Sequence, residues 1–509
     1  MYNIPDQRDF EVDNFGSTER DGPFESDQLL VVSNRQPYRH EWADDGDITV
    51  DRPTGGLTAG LDPMMQRAGG TWVAWGDGEA DEAAVDEDDR VTVPPDDPSY
   101  ALRRVWLSEE QVNDYYCGFS NRVLWPLCHS SLSTVRSKQS YWEHYRETNE
   151  QFAATVSEEA TERPVVWLQD YHFGLAPSYI RNELGERVLL MHFWHIPWPS
   201  WDVFRACPHG NELLHGLLGN DAIGFHTDRY CHNFLECVDA SIDDVAINWR
   251  TGTISYRGRK VRAKSIPMGV PVKDIEEQAA SYSESEFAEF KQSQGIDDDV
   301  AIAVGVDRLD YSKGIPERLR ALERFWEQYP EWRGSLTHLL NGTESRSQIA
   351  AYQRLQERVD ERIAQVNERF GTDIWQPVVE VNEYLSQREL YGLYRHADLC
   401  LVTPIRDGLN LIAQEYAAAQ VEENGVLVLS NQAGVHDIVG EAAVSVSPYD
   451  PGQFAHGLNE ALTMPAQQRE MRMAQIRQHV GENSLDSWVA KNATLAQSLR
   501  TEAEVSSTP

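Results

Sequence analysis

Lysine is nearly absent from this sequence. It occurs only at Lys138, Lys260, Lys264, Lys273, Lys291, Lys313 and Lys491, so arginine carries almost all the positive charge. Positive charge as a whole is scarce: 45 lysines and arginines face 82 aspartates and glutamates, for a formal net charge of −37. A polyanion of this kind repels nucleic acid and acidic membrane surfaces, which excludes both as electrostatic partners. Long apolar runs are missing as well; none approaches the roughly 20 residues that a membrane-spanning helix requires. The cysteines, Cys117, Cys128, Cys207, Cys231, Cys237 and Cys400, include no CxxC pair. Neither a disulfide framework nor a zinc site follows from that spacing, and free thiols in a reducing cytoplasm fit better. The opening stretch, MYNIPDQRDFEVDNFGSTERDG, lacks a basic region followed by an apolar core and is not read as a secretory signal.

What is abundant is distributed acid. Runs such as Asp86-Glu87-Asp88-Asp89 and Asp297-Asp298-Asp299 punctuate a chain that is acidic throughout. Solvated loops would explain single runs. The even spread points instead to a protein that works in molar salt, where a screening length of roughly 3 Å removes most self-repulsion. At 509 residues, with 41% hydrophobic content, the chain is too long for one core and rich enough for two or three domains. Oligomeric state is not legible, and a homo-oligomer is compatible with everything above.

Residues 1–27 are acidic and polar without periodicity and read as a disordered extension; residues 500–509 read as a flexible tail. Between them short apolar runs alternate with amphipathic segments. Leu29–Asn34, Val165–Leu168, Val188–Trp194 and Ala222–Phe225 read as strands, with helices at Ala176–Leu184 and Glu212–Leu218. Continuous apolar runs separated by helices mark parallel strands covered on both faces. The pattern restarts near residue 299. Strands are expected at Val300–Val304, Leu336–Leu340, Val378–Val381, Leu399–Thr403, Val426–Ser430 and Val444–Val446. Helices are expected at Pro316–Trp332, Gln348–Phe370, Gln387–His396 and Leu409–Gln420. The fold class is therefore α/β, with two doubly wound Rossmann-like units, and ligands belong outside the carboxyl ends of the strands.

Five constellations lie there. Ser33-Asn34-Arg35 ends the first strand, with Gly55-Gly56-Leu57 following; an arginine there can fork onto a phosphate, although a plain turn with a surface arginine explains it equally. The stretch Trp167 to His172 ends one further strand at the acidic Asp170, followed by an aromatic and an imidazole, and His195-Ile196-Pro197-Trp198-Pro199 ends another; carboxylates and imidazoles there suit sugar hydroxyls, and aromatics suit sugar faces. Arg308 and Lys313 bracket a turn after the strand at residue 300, as a diphosphate held without a metal requires; scattered surface cations would be odd in so lysine-poor a chain. Asp407-Gly408 through Leu411 to Glu415 opens a helix whose N-terminus can face a diphosphate. Its two carboxylates, about 12 Å apart along the helix, could bracket a nucleotide sugar. An aspartate N-cap is compatible with that role.

Together VVSNR, GGL, YYxxFSNRVLWP (Tyr115 to Pro126), WLQDYH, HIPWP, VDRLDYSKGIPER and TPIRDGLNLIAQEY resemble the trehalose-6-phosphate synthases of glycosyltransferase family 20, in family order from about residue 29 to 495. The resemblance implies a GT-B fold, with an acceptor domain at 28–298 and a nucleotide-sugar domain at 299–480. It also implies a C-terminal helix at 481–499 packing back on the first domain. The implied reaction is retaining transfer of glucose from a nucleoside-diphosphate glucose to glucose 6-phosphate, giving α,α-trehalose 6-phosphate. UDP-glucose is the first choice of donor, although the residues do not separate the bases. Arg35, Tyr116 and Arg346 would hold the acceptor phosphate, and Trp125, Asp170 and His195 the sugar pocket. Arg308 and Lys313 would bind the donor diphosphate and Asp407 the donor glucose; Gly56, Gly408, Leu411 and Glu415 would complete the donor site, Glu415 through the ribose. Asp170, His195, Asp407, Arg308 and Lys313 are the implied catalytic set, with no cofactor, no metal and no protein nucleophile; the leaving diphosphate helps to deprotonate the acceptor hydroxyl. The long Arg35–Gly55 stretch and the acidic segment 79–98 depart from the compact family pattern. Two other readings remain: a smaller phosphorylated acceptor such as glycerol 3-phosphate, and a non-catalytic sugar-phosphate sensor.

Overall fold

A computed structural model describes residues 28–52, 56–343 and 350–507. The expected extension at 1–27, and the site candidates Gly55 and Arg346, lie outside the described residues.

Two sheets organise the chain. The first has 10 strands. At its centre Leu29–Ser33 pairs in parallel with Val165–Gln169 on one side and Thr71–Trp75 on the other. Leu189–Phe193, Ala222–Phe225 and Arg259–Ser265 extend one flank, and Tyr100–Val105 the other, all parallel. The ends are antiparallel, with Val245–Asn248 and Thr253–Tyr256 at one edge and Arg90–Val93 at the other. The second sheet has 6 strands, all parallel, in the order Val378–Glu380, Leu336–Thr343, Ala301–Arg308, Leu399–Val402, Val426–Ser430, Val444–Val446. The central strands are buried along their whole length, which is why they read as unbroken apolar runs.

Strand order reverses once in each sheet. In the first, the chain leaves Leu29–Ser33 toward Thr71–Trp75 and returns to its other side at Val165–Gln169. In the second it leaves Ala301–Arg308 toward Leu336–Thr343 and returns at Leu399–Val402. Loops diverge at such points and leave a crevice. The chain places Asn34-Arg35 and Asp170 at one crevice, and Arg308 and Asp407 at the other.

Three details differ from the sequence reading. Helices Val272–Ala280 and Glu284–Ser293, expected in the first domain, pack on the second: Arg395 donates to the carbonyls of Ala279, Ala280 and Tyr282 at 3.0 Å, and Arg388 pairs with Glu286 at 2.8 Å. These two helices, which the sequence reading assigned to the first domain, thus contact the second unit. The last helix spans Leu485–Ser507, so most of the stretch expected as a flexible tail is helical. That helix lies on the first sheet, with the Trp488 ring 4.9 Å from Trp167 and 5.1 Å from Phe193. The third difference is the segment Val112–Leu124, which is wound as a π-helix entered through a Ser108–Gln111 capping box.

Candidate active site

The two crevices open onto one cleft of about 1900 Å³. The walls touch at its base. Tyr230 of the first unit donates its hydroxyl to the Asp407 carbonyl at 2.9 Å. Gly408 packs so closely on the opposite wall that a Cβ would sit 2.2 Å from the His195 carbonyl oxygen, so only glycine fits.

Arg35 is an exposed residue on a clamped backbone and lines the cleft. Ser33 Oγ donates to the Arg35 carbonyl and accepts from Trp72 Nε1 at 2.8 Å. The next residue, Gln36, is buried against Asp81 and Arg104, themselves an ion pair at 2.9 Å with both side chains fully buried. Tyr115 fixes Asn34 through a 2.9 Å hydrogen bond from the π-helix. That helix also delivers Tyr116, stacked on His172 at 5.8 Å, and leads into Trp125. Arg308 lies 5.9 Å from the Trp125 ring centroid, so a cation of the second unit and an aromatic of the first meet across the cleft.

Asp170 has φ 71° and ψ 177°, a conformation costly for any residue with a Cβ. Its neighbours hold it there. The Asp170 amide donates to the Phe193 carbonyl at 2.7 Å, and Oδ1 accepts from the amides of Tyr171 and His195 at 2.9 and 3.2 Å. His195 sits behind, with Nε2 2.9 Å from Gln169 Oε1. Burial, with His226 and His192 nearby, holds its pKa well below the usual histidine range, so the ring is neutral. Burial likewise pushes His129 down to about 4.

On the wall formed by the second unit, Lys313 follows the strand Ala301–Arg308 through a tight turn, which Gly314 closes with φ +68°; a Cβ there would meet the Thr403 carbonyl at 2.4 Å. Lys313 Nζ lies 2.6 Å from Asp407 Oδ2, and Asn410 Nδ2 donates to the same oxygen at 3.0 Å. Burial alone would raise the Asp407 pKa, but Lys313 and Asn410 outweigh it and hold the carboxyl below its usual range. Glu415, half-buried on the helix Leu411–Ala419, has no such cation among the described residues, and burial pushes its pKa up to about 7. Among the described residues, no three His, Cys, Asp or Glu side chains converge on a metal position.

The cleft thus brings together Arg35, Tyr116, Trp125, Asp170, Arg308, Lys313, Leu411 and Glu415. His195, Asp407 and Gly408 stand just behind its lining: His195 is turned to Gln169, Asp407 is covered by Lys313, and Gly408 lies against the His195 backbone. Gly56 opens the helix Gly56–Ala68 at the edge of the described residues. Gln169 was not singled out from sequence. Lying inside WLQDYH as a neutral amide on a strand, it gave no signal apart from its neighbour Asp170.

Residues 27–498 match the sequence profile of glycosyltransferase family 20. The chain belongs to that family. A family 20 relative from Dictyostelium discoideum, named alpha,alpha-trehalose-phosphate synthase [UDP-forming] A, is 33% identical over 91% of this chain, which spans only 61% of that longer protein. The enzyme of the same UDP-forming name from Schizosaccharomyces pombe is 32% identical over 91% of this chain and 89% of its own length. Among solved structures, the UDP-forming alpha,alpha-trehalose-phosphate synthase of Burkholderia xenovorans in complex with glucose-6-phosphate superposes with a TM-score of 0.81. It is 29% identical over 92% of this chain and 100% of its own. The family 20 fold is the GT-B arrangement of two Rossmann-like units described above. No helix among the described residues is long and apolar enough to cross a membrane.

Proposed function

We propose that this chain is a retaining glucosyltransferase that moves glucose from a nucleoside-diphosphate glucose to glucose 6-phosphate, yielding α,α-trehalose 6-phosphate. The observation that carries the reading is the pairing of the two crevices. Arg308 and Lys313 stand on one side, and Arg35, Tyr116, Trp125 and Asp170 on the other, within a single cleft. UDP-glucose is the preferred donor, in keeping with the UDP-forming relatives.

In this reading the donor diphosphate lies between Arg308 and Lys313, and the acceptor phosphate lies on Arg35 and Tyr116, with Arg346 joining them. The acceptor's anomeric hydroxyl attacks the donor anomeric carbon from the face the diphosphate leaves. The bond from that carbon to the diphosphate oxygen breaks, and the hydroxyl proton passes to the departing diphosphate. Arg308 and Lys313 stabilise the charge that builds on the leaving group, which replaces a metal. Asp170 orients sugar hydroxyls, held from behind by the His195 amide, and Asp407 takes the donor glucose once Lys313 turns to the diphosphate. Glu415 accepts from the ribose. The enzyme acts in a salt-rich cytoplasm, supported by the distributed acid and by cysteines whose spacing includes no CxxC pair.

Incubation in high salt with each nucleotide-glucose and each of glucose 6-phosphate and glycerol 3-phosphate tests the proposal. A non-reducing disaccharide phosphate with both anomeric centres α is expected. Transfer only to glycerol 3-phosphate would establish the smaller-acceptor reading, and binding of both ligands without turnover would establish a sensor.

A further inference from the structure

The turn that presents Lys313 is clamped on two sides by its own unit. The Ser312 carbonyl accepts from the Ile405 amide at 2.8 Å, and Gly314 lies against the Thr403 carbonyl. Its third support comes from farther along the chain. Asp310, completely buried, begins the turn: Oδ1 accepts from the Ser312 amide at 2.9 Å, and its carbonyl from the Lys313 amide at 3.0 Å. The other carboxylate oxygen, Oδ2, accepts from the hydroxyl of Tyr352 at 2.9 Å. Tyr352 stands in the first turn of the helix Ala350–Phe370 and is 2% exposed. Its ring packs against Cys117 of the π-helix, beside Tyr116, and lies 5.6 Å from the Tyr311 ring.

We propose that Tyr352 is a positioning residue for the donor site: its hydroxyl fixes the Asp310 carboxylate, and Asp310 in turn fixes the turn that aims Lys313 at the donor diphosphate. A buried carboxylate needs donors on both oxygens, and without the Tyr352 hydroxyl Oδ2 loses one. The carboxylate then reorients and the turn loosens, which moves the ammonium at its end. The ring of the same residue touches the segment that carries Tyr116, so Tyr352 sits where the donor turn meets the acceptor wall. The inference rests on the reading of Lys313 as a diphosphate ligand.

Tyr352→Phe removes the hydroxyl and keeps the ring packed. Calorimetric titration with UDP and, separately, with glucose 6-phosphate gives the test. The expected result is UDP binding weakened roughly threefold to tenfold, with glucose 6-phosphate binding within about twofold of wild type and an unaltered melting temperature. Asp310→Asn, which still accepts from Ser312 but exchanges the hydroxyl-to-carboxylate bond at Oδ2 for a weaker amide-to-hydroxyl one, should weaken UDP in the same direction and by less. The double variant should be no worse than the more impaired single, because both act on one interaction. Unchanged UDP affinity in Tyr352→Phe, or equal loss of both ligands with a lowered melting temperature, overturns the inference. If Tyr352→Phe does not fold, Asp310→Asn decides: selective loss of UDP affinity upholds the link, and unchanged affinity overturns it. Failure of wild-type protein to bind UDP would overturn the donor reading itself, which separates the two failures.

Discussion

Lys313 and Asp407 are bound to each other: Nζ and Oδ2 stand 2.6 Å apart in a site where each side chain is less than one-sixth exposed. One is the proposed ligand of the donor diphosphate and the other of the donor glucose, so a nucleotide sugar has to separate them before either can act. UDP and UDP-glucose should therefore respond differently to Asp407→Asn. UDP brings a replacement anion for Lys313, and its affinity should hold or improve. UDP-glucose turnover should collapse, because the hexose loses its carboxylate. The free variant should be less stable than wild type by about 2–4 kcal/mol, since Lys313 is left without its counter-charge. The Asp407 pKa is depressed in the fold, so this stability gap is full above the ordinary carboxylate value of about 4 and closes as pH falls below it. Equal loss of UDP and UDP-glucose binding in Asp407→Asn would refute the gating role.

Glu415 supplies a pH handle. Burial pushes its pKa up to about 7, so near neutrality the residue is part protonated. A ribose hydroxyl donates better to the carboxylate than to the neutral acid. UDP-glucose affinity should therefore rise between about pH 6 and pH 8. The donor's diphosphate carries no titrating terminal oxygen in this range, so the change belongs to the protein. In stability the sign is opposite: the raised pKa contributes below the unfolded carboxylate value and is lost as pH rises through 7. Glu415→Gln should flatten both profiles. A pH-independent wild-type affinity would remove Glu415 from the ribose.

The main sheets were legible in the sequence because each central strand is buried on both faces and thus reads as an apolar run. Ala176–Leu184 and Gln387–His396 matched their expected helices to the residue. Elements whose reason lies in tertiary contact were not legible. The π-helix Val112–Leu124 has no apolar period to announce it, since its aromatic side chains are shared between Asn34, His172 and the core residues Trp142 and Tyr145. The outer strand Arg90–Val93 and the edge hairpin around residues 245–256 are partly exposed and carry no unbroken apolar run. For the site, the motifs nominate side chains but say nothing of their mutual state. Nothing in the spacing of Lys313 and Asp407 says that they pair, or that His195 turns toward Gln169 rather than into the cleft.

Metal removal should leave the reaction intact. Two cations, Arg308 and Lys313, already flank the place assigned to the diphosphate. Turnover of UDP-glucose with glucose 6-phosphate in the presence of excess chelator should match the untreated rate. Abolition by chelator with restoration by magnesium would show that the two side chains are insufficient.

Salt should stabilise the fold. With a formal net charge of −37, repulsion between distant carboxylates is unrelieved in dilute buffer. Raising potassium chloride to 1 M shortens the screening length to about 3 Å and leaves close pairs such as Arg104–Asp81 untouched while weakening the long-range terms. The thermal midpoint should climb through a salt series. A flat or falling midpoint would count against adaptation to molar salt.

The acceptor phosphate gives the sharpest division of labour. Arg35 is exposed at the cleft, yet its backbone is fixed by Ser33, Trp72 and the buried Gln36–Asp81–Arg104 cluster, so its side chain is free to serve a ligand while its origin is not free to move. A hydrogen bond to a charged group is worth roughly 1.5–3 kcal/mol, so Arg35→Ala should weaken glucose 6-phosphate binding about tenfold to more than a hundredfold. Arg35→Lys should recover only part of this, because lysine lacks the planar fork that grips two phosphate oxygens. UDP-glucose affinity, assigned to Arg308, Lys313 and Glu415, should change little in either variant. Arg346→Ala should reproduce the pattern if the two arginines close on one phosphate from opposite sides of the cleft. Titration of each variant with glucose 6-phosphate and with UDP-glucose separates the cases. Loss of nucleotide with normal glucose 6-phosphate affinity would reverse the assignment of the two half-sites. Normal affinity for both would mean that the phosphate is held elsewhere, and the sensor and smaller-acceptor readings would then have to be tested first.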